Sequence, residues 1–393
     1  MSELPINARR LLELLIRDGS AYRADIARSL KVSRTTASNL SNQLESLGLI
    51  EEVTVGSPGV LKTHLGVTTE VGVLASVMFE AASVMAVVTT LDGRTLAEKA
   101  LRIDERGTVE QRLEAGADLL RECLRVASPA PLTINALHLA VDTQMDKSTG
   151  RVYETPASRR WVGVNPKEYF VKAFDTLVFV QNSARLHALA EYLWGGLSNL
   201  SDLLYVQISY GVSMGHVVDG VVRDGFRGGS GEIGHVVYNW GGPLCTCGNY
   251  GCLMQYVSIP AFETQATLMT NRPVTIDQFA LDVAEKESYT HEILARASIV
   301  FGRMLTAVCH LVDPGVIVLG GEISSLSEDF VEGVRQYLRE HTLPLIGKNL
   351  EISVSALSPV KDKSIDRTVY AGIESLRSNS DVIHRTFEQI EQS

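Results

Sequence analysis

The sequence contains little cysteine and has no long apolar run that is free of charge. The longest apolar stretch, residues 71–91, has about the length of a membrane span. Glu80 lies at its middle, and it is dense in valine, threonine and serine, which favours two buried strands. Residues 1–20 are amphipathic and charged and lack the apolar block of a signal peptide. We therefore expect a cytoplasmic protein with no membrane partner.

The chain has no overall excess of positive charge, since its net charge is −10. This value argues against a protein that coats nucleic acid without sequence preference through an overall basic surface. The charge is unevenly distributed, because residues 5–44 hold seven basic and three acidic side chains, which makes this segment +4 and the remainder −14. The asymmetry indicates a small head that faces DNA, joined to a body that does not.

The amino-terminal sixty residues have the pattern of three helices. The first has apolar residues at Ile6, Leu11, Leu12, Leu15 and Ile16 and ends at the Asp-Gly of residues 18–19. A short second helix is predicted over about residues 23–30. The third begins after Ser33, a good N-cap, and is predicted to bury one stripe and to end at Gly48. The predicted stripe consists of Ala37, Leu40, Leu44 and Leu47.

The opposite face of the third helix carries short polar side chains and one arginine. We predict that this face enters the major groove of DNA, because asparagine and arginine can pair with base edges and small side chains allow close approach. The alternative, an ordinary solvated face, would be rich in Glu and Lys, and no such residue occurs before Glu45. The candidate DNA-binding residues are Ser33, Arg34, Thr35, Ser38 and Asn39.

Two short strands around the Ser-Pro-Gly of residues 57–59 would complete a winged helix-turn-helix. Only Lys62 and His64 offer positive charge there, so the contribution of this wing to phosphate binding is expected to be weak. Arg9 and Arg10 are the expected phosphate contacts on the first helix. Two heads on a dimer would contact half-sites about one helical turn, ~34 Å, apart.

The body of the chain alternates between strands and helices, which indicates an α/β fold. An Asp-Gly pair at residues 92–93 predicts a hairpin turn, and the pattern falls into two similar halves that each start with hairpin-connected strands. The predicted helices span about residues 108–127, 183–195 and 292–314, and the predicted strands include 132–141, 176–182, 203–209, 215–222 and 315–321.

Three of the five cysteines lie within eight residues, and a histidine precedes them. Cys245, Cys247 and Cys252 together with His235 form a Cys₃His set, which suits tetrahedral zinc with every position filled by protein. Such a closed site has no place for a reactive water, so the zinc would be structural. The alternatives are a disulfide, which cytoplasmic redox conditions disfavour, or buried thiols without a role.

The segments GEIGH, CTCGNYGC and DPGVIVLGGEIS, in this order, resemble the ROK family of sugar kinases and sugar-responsive repressors (repressor, open reading frame, kinase). The head resembles that of the repressor branch. The resemblance implies an actin-like, ribonuclease-H-like fold of two lobes. The domains would be a winged helix-turn-helix at 1–66, a first lobe at 67–185 with a helix at about 364–390 returning to it, and a second lobe with the zinc site at 186–363.

The resemblance also assigns candidate site residues. The family's zinc site matches the Cys₃His set, and its sugar contacts match Asn182, Glu232 and His235, although a family Glu is replaced by Met254. An apolar platform for a sugar would come from Trp161 or Trp240. An ordinary carboxylate at the start of a helix is the alternative interpretation of Glu232.

Several features that a kinase of this family needs are missing. The family's catalytic Asp corresponds to Ser183, whose hydroxyl is too weak a base, and neither Asp142 nor Asp146 has a spacing that would replace it. The phosphate loops match VMFEAAS, which has no glycine, and SYGVSMG, where Tyr210 and Met214 crowd the backbone. We therefore predict no catalytic residue and no use of ATP.

The resulting hypothesis is a transcriptional regulator, most simply a repressor of carbohydrate-related genes. Its partners would be double-stranded operator DNA, a sugar or sugar derivative as effector, and further copies of itself in a homodimer or a dimer of dimers. One alternative is an ATP-dependent hexose or amino-sugar kinase with a regulatory head. Another is a constitutive regulator that has lost its ligand.

Overall fold

The computed structural model describes residues 4–57, 60–104, 107–152, 161, 163–196, 201–357 and 366–392. The predicted turn at Pro58 and Gly59 lies outside the described residues. The chain divides into two compact units. The first comprises Met1–Val141, Asn165–Val180 and Val369–Ser393, and the second comprises Asp142–Val164 and Gln181–Thr368.

The secondary structure follows the predicted alternation of strands and helices. The α-helices are α1 Ile6–Asp18, α2 Arg23–Leu30, α3 Arg34–Ser46, α4 Val109–Ala127, α5 Pro166–Phe174, α6 Ser183–Trp194, α7 Ile259–Thr270, α8 Ile276–Ala284, α9 Ser288–Val312, α10 Glu322–Leu326, α11 Glu328–His341, α12 Pro344–Gly347, α13 Thr368–Arg377 and α14 Ser380–Gln392. The strands are β1 Ile50–Ser57, β2 Val60–Val67, β3 Val73–Glu80, β4 Ser83–Thr90, β5 Thr95–Arg102, β6 Ile134–Val141, β7 Leu177–Asn182, β8 Asp202–Ile208, β9 Val212–Val218, β10 Val221–Val222, β11 Val316–Gly320 and β12 Glu351–Val354.

The amino-terminal head consists of α1, α2, α3 and the antiparallel hairpin β1–β2. Its three predicted helices are confirmed, but two details of their apolar faces are wrong. Ile6 is 79% exposed because it starts α1 outside the core, and Leu47 is 39% exposed because it lies beyond the last turn of α3. Ser41 is buried instead, and its hydroxyl donates to the Ala37 carbonyl.

The first unit contains a five-stranded sheet in the order β5-β4-β3-β6-β7. The apolar stretch at residues 71–91 forms β3 and β4 of this sheet, as predicted, and both strands are buried. Strands β3, β4 and β5 are antiparallel, whereas β3 and β6 are parallel. Helix α4 packs on this sheet and begins with a capping box in which Thr108 and Gln111 bond reciprocally.

The second unit repeats this topology with the sheet order β10-β9-β8-β11-β12. An antiparallel group again starts the sheet, and the later strands β11 and β12 are again parallel to its first strand. The two similar halves of the α/β fold are thereby confirmed.

Helix α9 is apolar and long enough to span a membrane by length and composition alone, and half of its most apolar window is buried. Its residues Phe301 and Leu305 are fully buried in the core of the second unit, and Phe301 stacks on Phe330 of α11. The helix therefore has the surroundings of a core helix.

The carboxyl-terminal segment differs from the single helix predicted at about 364–390, whose first two residues lie outside the described chain. It forms two helices, because the Asn379 side chain accepts from the backbone N–H groups of Asp381 and Val382 and starts α14 anew. Val369–Ser393 belongs to the first unit, where α14 contacts β6 and α1.

Candidate functional site

The four residues predicted to bind zinc lie together in the second unit. The candidate ligand atoms of His235, Cys245, Cys247 and Cys252 all lie within 4.8 Å of one another. The Cys247 and Cys252 sulfurs are 3.6 Å apart, and Nδ1 of His235 is 3.6 Å from the Cys245 sulfur. A tetrahedral ion with metal–sulfur distances of about 2.3 Å would separate two sulfurs by about 3.8 Å, so the spacing fits such an ion.

Tight turns bring these donors together. Gly248 and Gly251 have φ values of +93° and +70°, which favour glycine, and a methyl group at residue 251 would lie 1.6 Å from the Asn239 carbonyl oxygen. The Cys245 N–H donates to the Asn249 carbonyl at 2.7 Å and closes the turn between the first two cysteines and the third. These turns bring the four donors into one cluster.

The thiols in this cluster have unequal proton affinities. Burial and the neighbouring thiols Cys247 and Cys245 raise the pKa of Cys252 to about 12. Burial also raises the pKa of Cys247, but hydrogen bonds from Asn249 and the other two thiols outweigh it and bring the pKa below its ordinary value. All cysteines in the described chain are free thiols, so the disulfide alternative is wrong for this structure.

The predicted sugar contact Asn182 caps α6. Its side-chain oxygen accepts from the Ala184 N–H at 2.9 Å, and its amide nitrogen donates to the Thr143 carbonyl at 3.2 Å. The adjacent Ser183 is buried, with 3% of its surface exposed, at the first position of the helix. Because an amide group has two donors and two acceptor positions, Asn182 keeps one of each for a ligand.

Arg185 is a buried residue that the sequence analysis missed. It is 3% exposed, and its Nε and Nη2 atoms both donate to the Ser230 carbonyl, at 3.0 and 2.6 Å. Its Nη2 also lies 3.9 Å from a carboxylate oxygen of Glu232. The arginine therefore links the helix that follows Asn182 to the loop that carries Glu232. The available signal was an arginine within segment 184–190, whose other residues are alanine and leucine apart from His187.

The two segments that were predicted to match the family's phosphate loops are packed within their own units. Strands β3 and β4 remain paired up to Glu80 and Ser83, and the buried Arg112 donates to the carbonyls of Glu80 and Ala81 at 2.7 and 3.0 Å. Tyr210 and Met214 pack against the core of the second unit, as half-buried residues.

The two aspartates considered as replacement bases are both engaged. Asp142 accepts from the indole N–H of Trp161 at 2.7 Å, and Trp161 is only 1% exposed. The predicted use of Trp161 as an open sugar platform is therefore wrong, because packing covers it, whereas Trp240 is 88% exposed. Hydrogen bonds from Ser148 and Thr149 lower the pKa of Asp146 to about 2.

The candidate nucleic-acid interface lies on α3. Arg34, Thr35 and Asn39 are exposed, and Ser38 is half-buried. The Ser33 hydroxyl accepts from the Thr36 N–H at 3.0 Å and thus serves as the predicted N-cap. The expected phosphate contact Arg9 instead faces α14, where it pairs with Glu391 at 3.3 Å and lies 4.8 Å from the Phe387 ring.

Two α/β units with similar sheets, a Cys₃His cluster on the second unit and a helical head define a protein with an actin-like body and an appended amino-terminal head. The model of the ROK family matches residues 77–361, which is more than half of the chain. The chain belongs to the ROK family.

Individual relatives resemble the chain over nearly its whole length. A putative xylose repressor of Caldicellulosiruptor sp. (strain Rt8B.4) is 24% identical over 367 residues, which cover 90% of this chain and 92% of the relative. The crystal structure of a ROK family transcriptional regulator, a homologue of the Escherichia coli MLC protein, has a TM-score of 0.75 and 22% identity, and the match covers 98% of both chains.

A ROK hexokinase from Thermus thermophilus is also similar in structure. Its TM-score is 0.62 at 24% identity, and the match covers 97% of the hexokinase but 77% of this chain. These structural likenesses establish the two-lobed actin-like fold of the body.

Proposed function

We propose that this chain is a DNA-binding transcriptional regulator, a repressor of carbohydrate-related genes. The observation that carries the proposal is the polar face of α3 on a three-helix head, where Arg34, Thr35 and Asn39 are exposed and residues 34–44 contain no lysine or glutamate. The similarity to a putative xylose repressor over 90% of the chain supports it. Asn39 and Arg34 would contact base edges, with Thr35 and Ser38 allowing close approach.

In this proposal Ser33 contributes to DNA binding indirectly, because its hydroxyl caps α3 and fixes where the helix begins. Arg10, which is exposed on α1, would contact a phosphate. Phosphate contacts determine where the protein is positioned on the duplex and how its affinity depends on salt, whereas base contacts determine its sequence preference.

The body would bind an effector and would not transfer phosphate. Ser183 is buried and has no useful proton affinity near neutral pH, and hydrogen bonding keeps Asp146 a poor base. Loss of a general base costs about 10²–10⁴-fold in rate. A sugar or sugar derivative is the proposed effector, with hydroxyl groups bound by Asn182, Glu232 and His235.

Zinc is the proposed metal of the Cys₃His cluster, and its role would be structural. His235, Cys245, Cys247 and Cys252 would hold the ion and fill all four of its positions. The bound ion would supply cross-linking of the loop at residues 235–252, and this loop directly follows Glu232 in the chain. The ligand side chains would thereby keep one wall of the effector site rigid.

The proposed assembly is a cytoplasmic homodimer or a dimer of dimers that places two heads on one operator. Since both half-sites lie on a stiff duplex, a change of a few ångströms in head spacing would prevent simultaneous binding. Effector binding would act through this spacing.

Sequencing of genomic DNA fragments retained by the full-length protein tests the proposal. We expect a recurrent motif with two similar halves, and a gel shift at ~50 mM salt should favour this motif over a shuffled sequence. Equal retention of motif and shuffled DNA, or no retention of either, would show that the proposed function is wrong.

The likeness to a ROK hexokinase favours one rival function, an ATP-dependent hexose or amino-sugar kinase with a regulatory head. A coupled assay of ADP release against a panel of sugars distinguishes the two. We expect no turnover, and rates of ~1 s⁻¹ or more, as ordinary kinases show, would favour the rival.

A further inference from the structure

The turn between β4 and β5 holds the last residue of the head's hairpin. The Val67 N–H donates to Oδ2 of Asp92 at 3.2 Å, and Nη2 of Arg94 donates to the Val67 carbonyl at 2.5 Å. Nε of Arg94 lies 3.2 and 3.3 Å from the two oxygens of Asp92. Asp92 is only 3% exposed. One turn of the body therefore binds both backbone groups of a single residue at the end of β2.

A second arginine holds the other end of the head. Arg377, the last residue of α13, donates from Nε to the Ile16 carbonyl at 2.7 Å and from Nη2 to the Arg17 carbonyl at 3.1 Å. These carbonyls belong to the last turn of α1, where helical carbonyls lack partners within their own helix. Nη1 of Arg377 is held by both oxygens of Glu374, at 2.6 and 2.8 Å.

The surrounding backbone leaves room for this guanidinium and for little else. A methyl group at Gly93 would lie 2.9 Å from Nη1 of Arg377, and one at Gly19 would lie 3.3 Å from Nη2. Both glycines have positive φ, +88° and +92°, which disfavours any side chain there. The close fit is formed by four chain segments, namely the ends of α1, β2 and α13 and the β4–β5 turn.

The head also has an apolar core of its own. Its core consists of apolar residues of its own three helices, such as Leu11, Leu15, Ile26, Ala37 and Leu44, and all of these are buried. Loss of the arginines should therefore release the seating of the head but leave the head folded.

We propose that Asp92, Arg94 and Arg377, which we call the head anchor, are positioning residues that set the orientation of the DNA-reading helix relative to the five-stranded sheet of the first unit. The seating itself rests on the contacts above, and its consequence for DNA rests on the proposed function. When the anchor holds the head, α3 follows any movement of the five-stranded sheet. Without the anchor, one head could still bind one half-site, but the two heads of a dimer would no longer be held at a fixed distance from each other.

Hydrogen exchange of the full-length protein tests the seating without DNA. The variants are Arg94→Met and Arg377→Lys, and the matched control is Arg335→Met. Arg335 lies in the second unit, donates to the Ile352 carbonyl at 3.1 Å and pairs with two glutamates, so it has the same kinds of partner away from the head.

We expect the Val67 amide to exchange at least ~10-fold faster in Arg94→Met, because Arg94 positions the Asp92 carboxylate that accepts from this amide. The peptide at residues 15–21 should exchange at least ~10-fold faster in Arg377→Lys, because Arg377 holds the end of α1 through the Ile16 and Arg17 carbonyls. Peptides within residues 26–44 should keep wild-type protection, and Arg335→Met should change neither region. Unchanged exchange at Val67 and residues 15–21 would overturn the proposal, whatever the protein does with DNA. If Arg377→Lys does not fold, Arg94→Met decides the outcome, because its side chain is 30% exposed and milder to replace.

Operator fragments with altered spacing between half-sites test the consequence. Wild type should lose at least ~10-fold in affinity when two base pairs are inserted, while the anchor variants should bind the natural operator ~10-fold more weakly and respond little to the insertion. All proteins should bind an isolated half-site equally within about 2-fold. If wild type and the variants respond equally to the inserted base pairs, the anchor does not couple the head to the spacing of half-sites, and this part of the proposal is wrong. If wild type binds no fragment, the proposed function is wrong, and the hydrogen-exchange result alone tests whether the anchor holds the head.

Discussion

At the scale of single residues, this protein relies on buried polar groups whose partners come from distant parts of the chain. Arg185 reaches the Ser230 carbonyl, Arg112 reaches Glu80 and Ala81, and Arg377 reaches the end of α1. A buried guanidinium without partners is costly, so each of these arginines restricts the segments around it.

The Cys₃His cluster leads to a prediction for Cys247→Ser. A serine hydroxyl is a poor ligand for a soft metal site, so the variant should contain much less zinc than the ~1 ion per chain expected for wild type. Elemental analysis of the purified proteins measures this. Cys309→Ser, a change at a buried cysteine outside the cluster, is the control and should keep its zinc. Equal zinc in Cys247→Ser and wild type would contradict the assigned ligands.

His138 leads to a prediction about pH. Burial lowers its pKa to about 4, below the ordinary 6.5, and Ser76 and Gly372 are its close neighbours. As pH falls, the unfolded chain binds the proton at about 6.5 and the folded chain only near 4. The free energy of unfolding should therefore decrease between these values, by at most ~3 kcal/mol from this group.

Denaturant unfolding at several pH values measures the effect. His138→Asn should show a shallower loss of stability from pH 6.5 to 4 than wild type, and His384→Gln, at an exposed histidine, should follow wild type. Identical pH slopes for His138→Asn and wild type would show that His138 is not the titrating group.

At the scale of elements, α3 shows how one helix divides its two faces. Ala37, Ser41 and Leu44 point inward at the helical spacing, and Arg34 and Asn39 remain on the exposed side. The same division is absent from α6, where residues 183–191 are all buried, since both of its faces are covered. Helix α3 therefore presents polar side chains to solvent, whereas residues 183–191 of α6 do not.

Asn39→Ala should lower the preference for operator over random DNA by about 10-fold, because a bidentate contact to a base discriminates by ~1–3 kcal/mol. Its affinity for random DNA should change little. Arg10→Gln should weaken binding to both DNAs and reduce the salt dependence by about one unit of slope. Binding titrations over a range of salt measure both, and equal losses on operator and random DNA for Asn39→Ala would remove it as a base contact.

At the scale of the whole molecule, the head is part of the first unit, and the second unit holds the candidate effector and metal residues. Under the proposed function, an effector that binds to residues of the second unit would change the binding of DNA by α3 in the first unit.

A panel of pentoses, hexoses and amino sugars should include one that lowers operator affinity by about 10-fold or more. Glu232→Gln should bind the operator normally but respond weakly to this sugar, because the amide cannot accept hydroxyl hydrogen bonds as a carboxylate does. Fluorescence anisotropy of a labelled operator measures both properties. The absence of a response to any sugar, together with no heat of binding in calorimetry, would favour the constitutive regulator.

Much of this architecture was predictable because it depends on local sequence. The periodicity of residues 6–46 fixes three helices, the valine-rich stretch at 71–91 fixes two strands, and the ligand spacing from His235 to Cys252 fixes the candidate metal cluster. In each case the partners are close along the chain, and side-chain spacing or turn-forming glycines suffice to specify them.

Only the tertiary structure decided which polar residues are buried and against what. Trp161 was expected to be accessible to a sugar but is 1% exposed, and its burial was not evident from the local sequence. The pairing of Arg377 with Ile16 joins residues separated by 361 positions, and no periodicity records such a contact. The sequence by itself therefore determined most of the predicted elements and the Cys₃His cluster, whereas packing between distant segments decided how the head is held and which side chains remain exposed.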